Sequence, residues 1–226
     1  MAFTKANSLT ISSGAPSGNT VYEAINYTDL NVDQVVTDLN SLDKRAPEYN
    51  IIWVPASAMT ALTTNGAEGG SSEYATNDDV LLNYYAFDTT TEEYVGFGIV
   101  MPENWDRSTI KAKFYWSPGS SSCSAGDTVE WQIQGIALSN DDNIDTTEFT
   151  DTGEVISDVV LTDKNLEMHV TAATPAITVN GTPALGDFVY FKISRNVGGT
   201  DAMAYDAWLF GVAIQYRMTN TVAVWS

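Results

Sequence analysis

Asp141, Asn143 and Asp145, in the stretch SNDDNIDTTEF, stand at the one-three-five spacing with which a loop presents oxygen ligands to calcium. The signature stops there: the sixth position is Thr146 where such a loop needs glycine, and the twelfth is Thr152 where it needs a bidentate glutamate. A solvated acidic turn is the competing reading, and no other metal site is expected. His169 is the only histidine, so any Ser-His-Asp triad, Cys-His pair or multi-histidine centre must be built around it. In NLEMHVTA it alternates away from Leu166, Met168 and Val170, which predicts a surface side chain. Cys123, the only cysteine, lies in the Ser/Gly-rich SPGSSSCSAGD without a basic neighbour, so neither a disulfide nor a reactive thiolate is expected.

Carboxylate pairs carry no information here, because 29 acidic residues guarantee that some pair lies at a hydrolytic separation. GAEGG and NVGG lack the strand-to-helix context and the lysine of a phosphate loop. No catalytic residue, enzymatic activity or cofactor is expected. Aromatics are the remaining chemistry: six Trp and 11 Tyr could stack on a sugar ring. Trp116, Trp131 and Trp208 fall in register with inward aliphatics and are expected to pack. Trp53, Trp105, Tyr84, Tyr85, Tyr94 and Trp225 are less constrained, and Trp105, in the PENWDRS connection, is the candidate surface contact and an expected cap on one end of the fold.

The elements that must carry these residues change character twice along the chain. Residues 1–28 are rich in Ser, Thr, Asn and Gly, dotted with Phe3, Leu9, Ile11, Val21 and Tyr22, and read as an extended arm. From Asp29, residues Val32, Val35, Val36, Leu39 and Leu42 fall on one helical face, with Lys44 and Arg45 at the C-terminal end and Pro47 as a stop. Such a helix over 29–46 is marginal alone and must dock, on its own sandwich or on sister helices of an oligomer.

Beyond Pro47 the period is two. Val95, Phe97, Ile99 and Met101 line one face of a strand, and Ile110, Ala112, Phe114 and Trp116 one face of the next. TVEWQIQGIALS changes phase at Gln134-Gly135, where a β-bulge is expected. DFVYFKISR points Val189, Phe191 and Ile193 inward, and AWLFGVAIQYR does the same with Trp208, Phe210, Val212, Ile214 and Tyr216. About eight such strands without a βαβ rhythm predict a mainly β, antiparallel jelly-roll-like sandwich over 47–226.

A formal net charge of −19 repels phosphate backbones and anionic membranes, and no window nears the ~18 apolar residues of a membrane span. Neither nucleic acid nor membrane is an expected partner.

The ordered series WVPASAMTA, FGIVMPENWDRSTIKAKFYWSP, VEWQIQGIALSNDD and GTPALGDFVYFKISRNVGGTDAMAYDAWLFGVAIQY resembles a module of virion surface proteins of tailed bacteriophages. The resemblance implies a homotrimeric jelly roll displayed on the particle, without enzymatic activity. With so short an N-terminal part, it implies a capsid decoration or cement protein on the outer capsid surface. Such a protein would be made in the host cytoplasm, with the arm clamping the major capsid protein. The alternative is a tail-tip or fibre-tip module that recognises a host surface glycan or receptor.

Overall fold

The computed structural model describes residues 48–74, 80–145, 147–162 and 167–219. The chain divides into two units, Met1–Pro47 and Glu48–Ser226. The expected arm (Phe3, Leu9, Ile11, Val21, Tyr22) and helix face (Val32, Val35, Val36, Leu39, Leu42) lie outside the described residues.

Twelve strands are described: β1 (Tyr49–Pro55), β2 (Thr60–Ala61), β3 (Glu68–Tyr74), β4 (Val80–Phe87), β5 (Tyr94–Val100), β6 (Lys111–Pro118), β7 (Thr128–Leu138), β8 (Glu154–Val159), β9 (His169–Val170), β10 (Val179–Asn180), β11 (Phe188–Arg195) and β12 (Ala207–Arg217). One sheet has the order β3-β4-β12-β6-β9, with β1 sharing the edge of β12 that β4 leaves free; the other has the order β10-β7-β11-β5-β2, with β8 also on β7. All pairings are antiparallel except the two-residue contact of β10 with β7. This is the expected mainly β, jelly-roll-like sandwich.

Alternation explains the layers. Along β6 the inward Ala112, Phe114 and Trp116 are buried while Lys111 and Lys113 are exposed, and along β11 Val189, Phe191 and Ile193 are fully buried. Between the sheets Trp131 of β7 meets Phe114 of β6 in a stack at 5.6 Å, Phe87 of β4 edge-on at 5.1 Å and Trp116 at 6.4 Å. Each such ring removed from water contributes about 1.5–3 kcal/mol. β5 lies in one sheet and β6 in the other, so residues 101–110 arch over the end of the sandwich. Trp105 plugs that arch at 2% exposure, bridged to Met218. Its expected role as a surface contact is therefore corrected, and its role as a cap stands.

Three expectations of phase fail for local reasons. β7 carries no bulge, since its register with β11 is continuous from Leu138 to Trp131. Gly135 simply points inward, where a Cβ would lie 2.8 Å from the ring of Phe191. The bulge sits in β12 instead, between Leu209 and Gly211, so Trp208 and Phe210 face outward, while Ala207, Leu209, Val212, Ile214 and Tyr216 fill the core. Trp208 stacks on Tyr84 at 4.3 Å on the outer face.

The third concerns β9. His169 points in, not out: it is 3% exposed and stacked on Trp116 at 4.7 Å, while Met168 and Val170 are exposed. Trp116 Nε1 donates to Asp158 at 2.8 Å, and His169 Nε2 is buried without a hydrogen-bond partner. Burial holds the imidazole below its ordinary pKa, against the pull of Asp158 and Glu167. The folded chain thus binds this proton less tightly than the unfolded chain, so the stability it protects is whole above about pH 6.5 and is lost as pH falls below it. We expect unfolding free energy, measured by urea denaturation, to drop between pH 7 and pH 5 with proton uptake on unfolding, and His169→Phe to flatten that slope. Parallel curves for the two proteins would contradict the assignment.

A buried cation completes the fold. Arg195 ends β11 at 0% exposure, its Nε and one terminal nitrogen on the two carboxylate oxygens of Asp201 at 2.8 and 2.6 Å. Its other donors reach the carbonyls of Phe87 (3.2 Å), Tyr205 (2.8 Å) and Met203 (2.6 Å). Nearby, Glu130 accepts from Thr200, Ser157 and Asn196. Burial pushes this carboxyl up, but those hydrogen bonds outweigh it and leave it below the ordinary glutamate range. Together the two networks fasten the 196–206 connection to the sheets.

Candidate functional site

The outer side of β12 is a valley because its central residues are small and its neighbours large. Gly211 and Ala213 lie between Pro55 and Trp53 of β1 on one side and Tyr115 and Lys113 of β6 on the other. Gly211 is required at its position. A Cβ there would meet the Trp53 ring at 2.5 Å and the Val54 carbonyl oxygen at 2.6 Å. Trp53 thus leans over Gly211 to contact Tyr115 edge-on, with ring centroids 4.8 Å apart.

The bulge adds Phe210 to the same floor, where it meets Tyr84 at 6.3 Å, and Tyr84 in turn stacks on Trp208. An aromatic band therefore crosses the sheet. Over it opens a groove of about 550 Å³, lined chiefly by Ile51, Trp53, Leu81, Tyr115, Met168 and Phe210. Trp53 is 48% and Met168 50% exposed, so these surfaces face solvent. A second groove, of about 350 Å³, shares Ala56, Ser57 and Asn83 with the first and adds Ser71, Tyr84 and the backbone of Gly69 and Gly70. Apolar rings and hydrogen-bonding groups thus meet at one place, which is the lining that binds a molecule with one apolar face and a polar rim.

The other candidates are not gathered there. Asp141, Asn143 and Asp145 lie in an exposed turn in which Asn143 Oδ1 accepts from the backbone of Asp145 at 2.9 Å, and among the described residues no three His, Cys, Asp or Glu side chains cluster as a metal site. Cys123 lies in the Ser/Gly-rich connection between β6 and β7, with its side chain buried against the core at 3% exposure. His169 is occupied by its stack on Trp116.

Sequence reasoning had Trp53 and Tyr84 among its open aromatics but missed Tyr115, Phe210 and Trp208. The signal available was Gly211-x-Ala213, two small residues on one face of an otherwise bulky strand.

The fold and this face define a two-sheet β-sandwich with an open groove on one outer surface. No protein-family model matches the chain, and no curated protein matches it in sequence. Solved structures of similar fold include the carbohydrate-binding module CBM36 in complex with calcium and xylotriose (TM-score 0.39, 16% identity, covering 72% of this chain and 98% of that one). Another is the CBM22-1–GH10 part of a Clostridium thermocellum xylanase complexed with xylohexaose (TM-score 0.42, 13% identity, 75% and 29%). A third is the mannan-recognising module TmCBM27 (TM-score 0.37, 9% identity, 75% and 99%). The likeness is confined to the fold.

Proposed function

We propose that the chain is a non-catalytic binding module whose working surface is the outer face of β1, β12 and β6, and that its ligand is a glycan. The observation that supports this is the junction of the aromatic groove with the polar one at Ser57 and Asn83. A pyranose presents C–H groups on one face and hydroxyls around its edge, and both find partners here. Trp53 is the central stacking surface. On a glycan array the protein is expected to bind, and Trp53→Ala to weaken the selected glycan at least about tenfold by calorimetry. The variant should stay folded with only a modestly lower unfolding midpoint, since the side chain is half exposed. An array without a hit, or affinity untouched by the substitution, would overturn the reading.

A second reading keeps the homotrimeric capsid decoration protein, bound to the major capsid protein on the virion. It is favoured by exposed aliphatics beside the groove, Val80 and Val170, which a sugar does not need and a protein partner would cover. A strict monomer in light scattering at high concentration would count against this homotrimer.

A further inference from the structure

Three grooves join along the outer side of β12. The aromatic groove shares Ile51 and Ala213 with a cleft of about 60 Å³, which shares Lys111 and Gln215 with a third of about 570 Å³ bordered by Tyr49, Ser108, Thr109 and Arg217. From Gly211 to Arg217 this trough runs about 20 Å at roughly 3.4 Å per strand residue, the span of a short oligosaccharide.

Its charge is opposite to that of the molecule. The chain has 29 acidic and 10 basic residues, yet no aspartate or glutamate lines any of the three grooves, whereas Lys111, Lys113 and Arg217 do. Arg217 is engaged by Glu48 at 2.8 Å and Asp106 at 3.7 Å. Lys111 and Lys113 are exposed, and neither forms an ion pair with another described residue. Alternation puts both ammonium groups on the groove side of β6, in the rows that hold Gln215 and Ala213. The acids gather at the other end of β12. There burial, and then repulsion from Asp88 and Glu68, hold the carboxyl of Asp206 above its ordinary pKa. The face therefore runs from an acidic start, through an aromatic middle, to a basic end where Arg217 is paired and Lys111 and Lys113 have no ion-pair partner among the described residues.

We propose that the ligand of this trough is a carboxylated glycan, its rings on Trp53 and Tyr115 and its uronate carboxylates at Lys111 and Lys113. This rests on the reading of the groove as a glycan site. Two ammonium groups suit a chain with sparse single charges. A densely sulfated polymer would bring more negative charge than they can match against a surface of net charge −19.

The test uses the full chain with an aldouronic oligosaccharide carrying one or two uronates on an otherwise neutral backbone, its neutral methyl ester and a heavily sulfated dextran oligosaccharide, at low and high salt. The acid is expected to bind about three- to tenfold more tightly than the ester, since exposed charge pairs add only modestly, and 0.5 M salt should remove the difference. Lys111→Glu with Lys113→Glu should abolish the preference for acid over ester while leaving the unfolding midpoint in place, and Trp53→Ala should weaken acid and ester alike. Equal binding of acid and ester, unmoved by the lysine substitutions, would overturn this inference and leave the glycan reading standing. Tighter binding of the sulfated oligosaccharide would overturn the carboxylate assignment. If none of the three binds, the inference fails, and an array empty of other glycans would take the glycan reading with it.

Discussion

Arg195→Met should destabilise the sandwich by about 3–5 kcal/mol, the cost of leaving a buried charge without its partner. Asp201 has 3% side-chain exposure, so the abandoned carboxylate cannot turn to water without opening the connection it belongs to. The carbonyls of Phe87, Met203 and Tyr205 would lose their donor at the same time, and each unsatisfied buried group adds to the loss. Urea denaturation would show the midpoint fall with the slope unchanged. The double variant Arg195→Met with Asp201→Leu should recover part of the deficit, because no uncompensated charge then remains. A loss below about 1 kcal/mol in the single variant would mean that Asp201 rehydrates cheaply, and that the clamp does not hold the 196–206 connection.

The second large effect is at Trp131. It touches Phe87, Phe114 and Trp116 across the interface of the sheets, so Trp131→Ala opens a cavity in the middle of the core and should cost about 3–5 kcal/mol. Trp131→Phe should cost far less. The indole Nε1 is buried without a hydrogen-bond partner, so phenylalanine gives up area but sacrifices no polar contact and removes an unsatisfied donor. Trp116 is the control, since its Nε1 donates to Asp158, and Trp116→Phe leaves that carboxylate short of one bond. Comparable losses for the two phenylalanine variants, read from denaturation midpoints, would contradict this distinction.

What the sequence made legible follows from how local each signal is. The alternation of β5, β6 and β11 needs only consecutive residues, and the inward sets Val95/Phe97, Phe114/Trp116 and Phe191/Ile193 are buried as that pattern requires. In β12 the inward set from Val212 onward was also legible, but Phe210 and Gly211 share a face at the bulge, so everything before it is out of phase. Glycine marked the wrong strand: Gly135 makes room for Phe191, and neither its type nor its neighbours say so until the two strands are paired. β9 is two residues long and cannot show a period, which is why His169 was placed on the surface.

Nothing in the residues next to Arg195 marks it for burial. Only the return of the chain to Asp201, with three carbonyls converging on it, makes burial affordable. The groove was the least legible part, because a small-residue strand between two bulky ones becomes a valley only after pairing. Aromatics on β1, β4, β6 and β12 are scattered in sequence and adjacent only in the sheet. The arm and helix fall outside the described residues.

The shared edge of β12 bears on how the molecule is made. β1 and β4 lie end to end on one side of it and β6 on the other, and all three are synthesised before it. Until a ribosome has delivered residues Ala207–Arg217, that sheet has no centre, and the chain emerges with its pairing edges and apolar faces uncovered. Contacts of such long sequence separation close slowly, and nascent chains in this condition aggregate readily. A polypeptide stopped before Ala207 would therefore lose the strand that joins β1, the β3-β4 pair and the β6-β9 pair into one sheet, and not merely one strand at its edge.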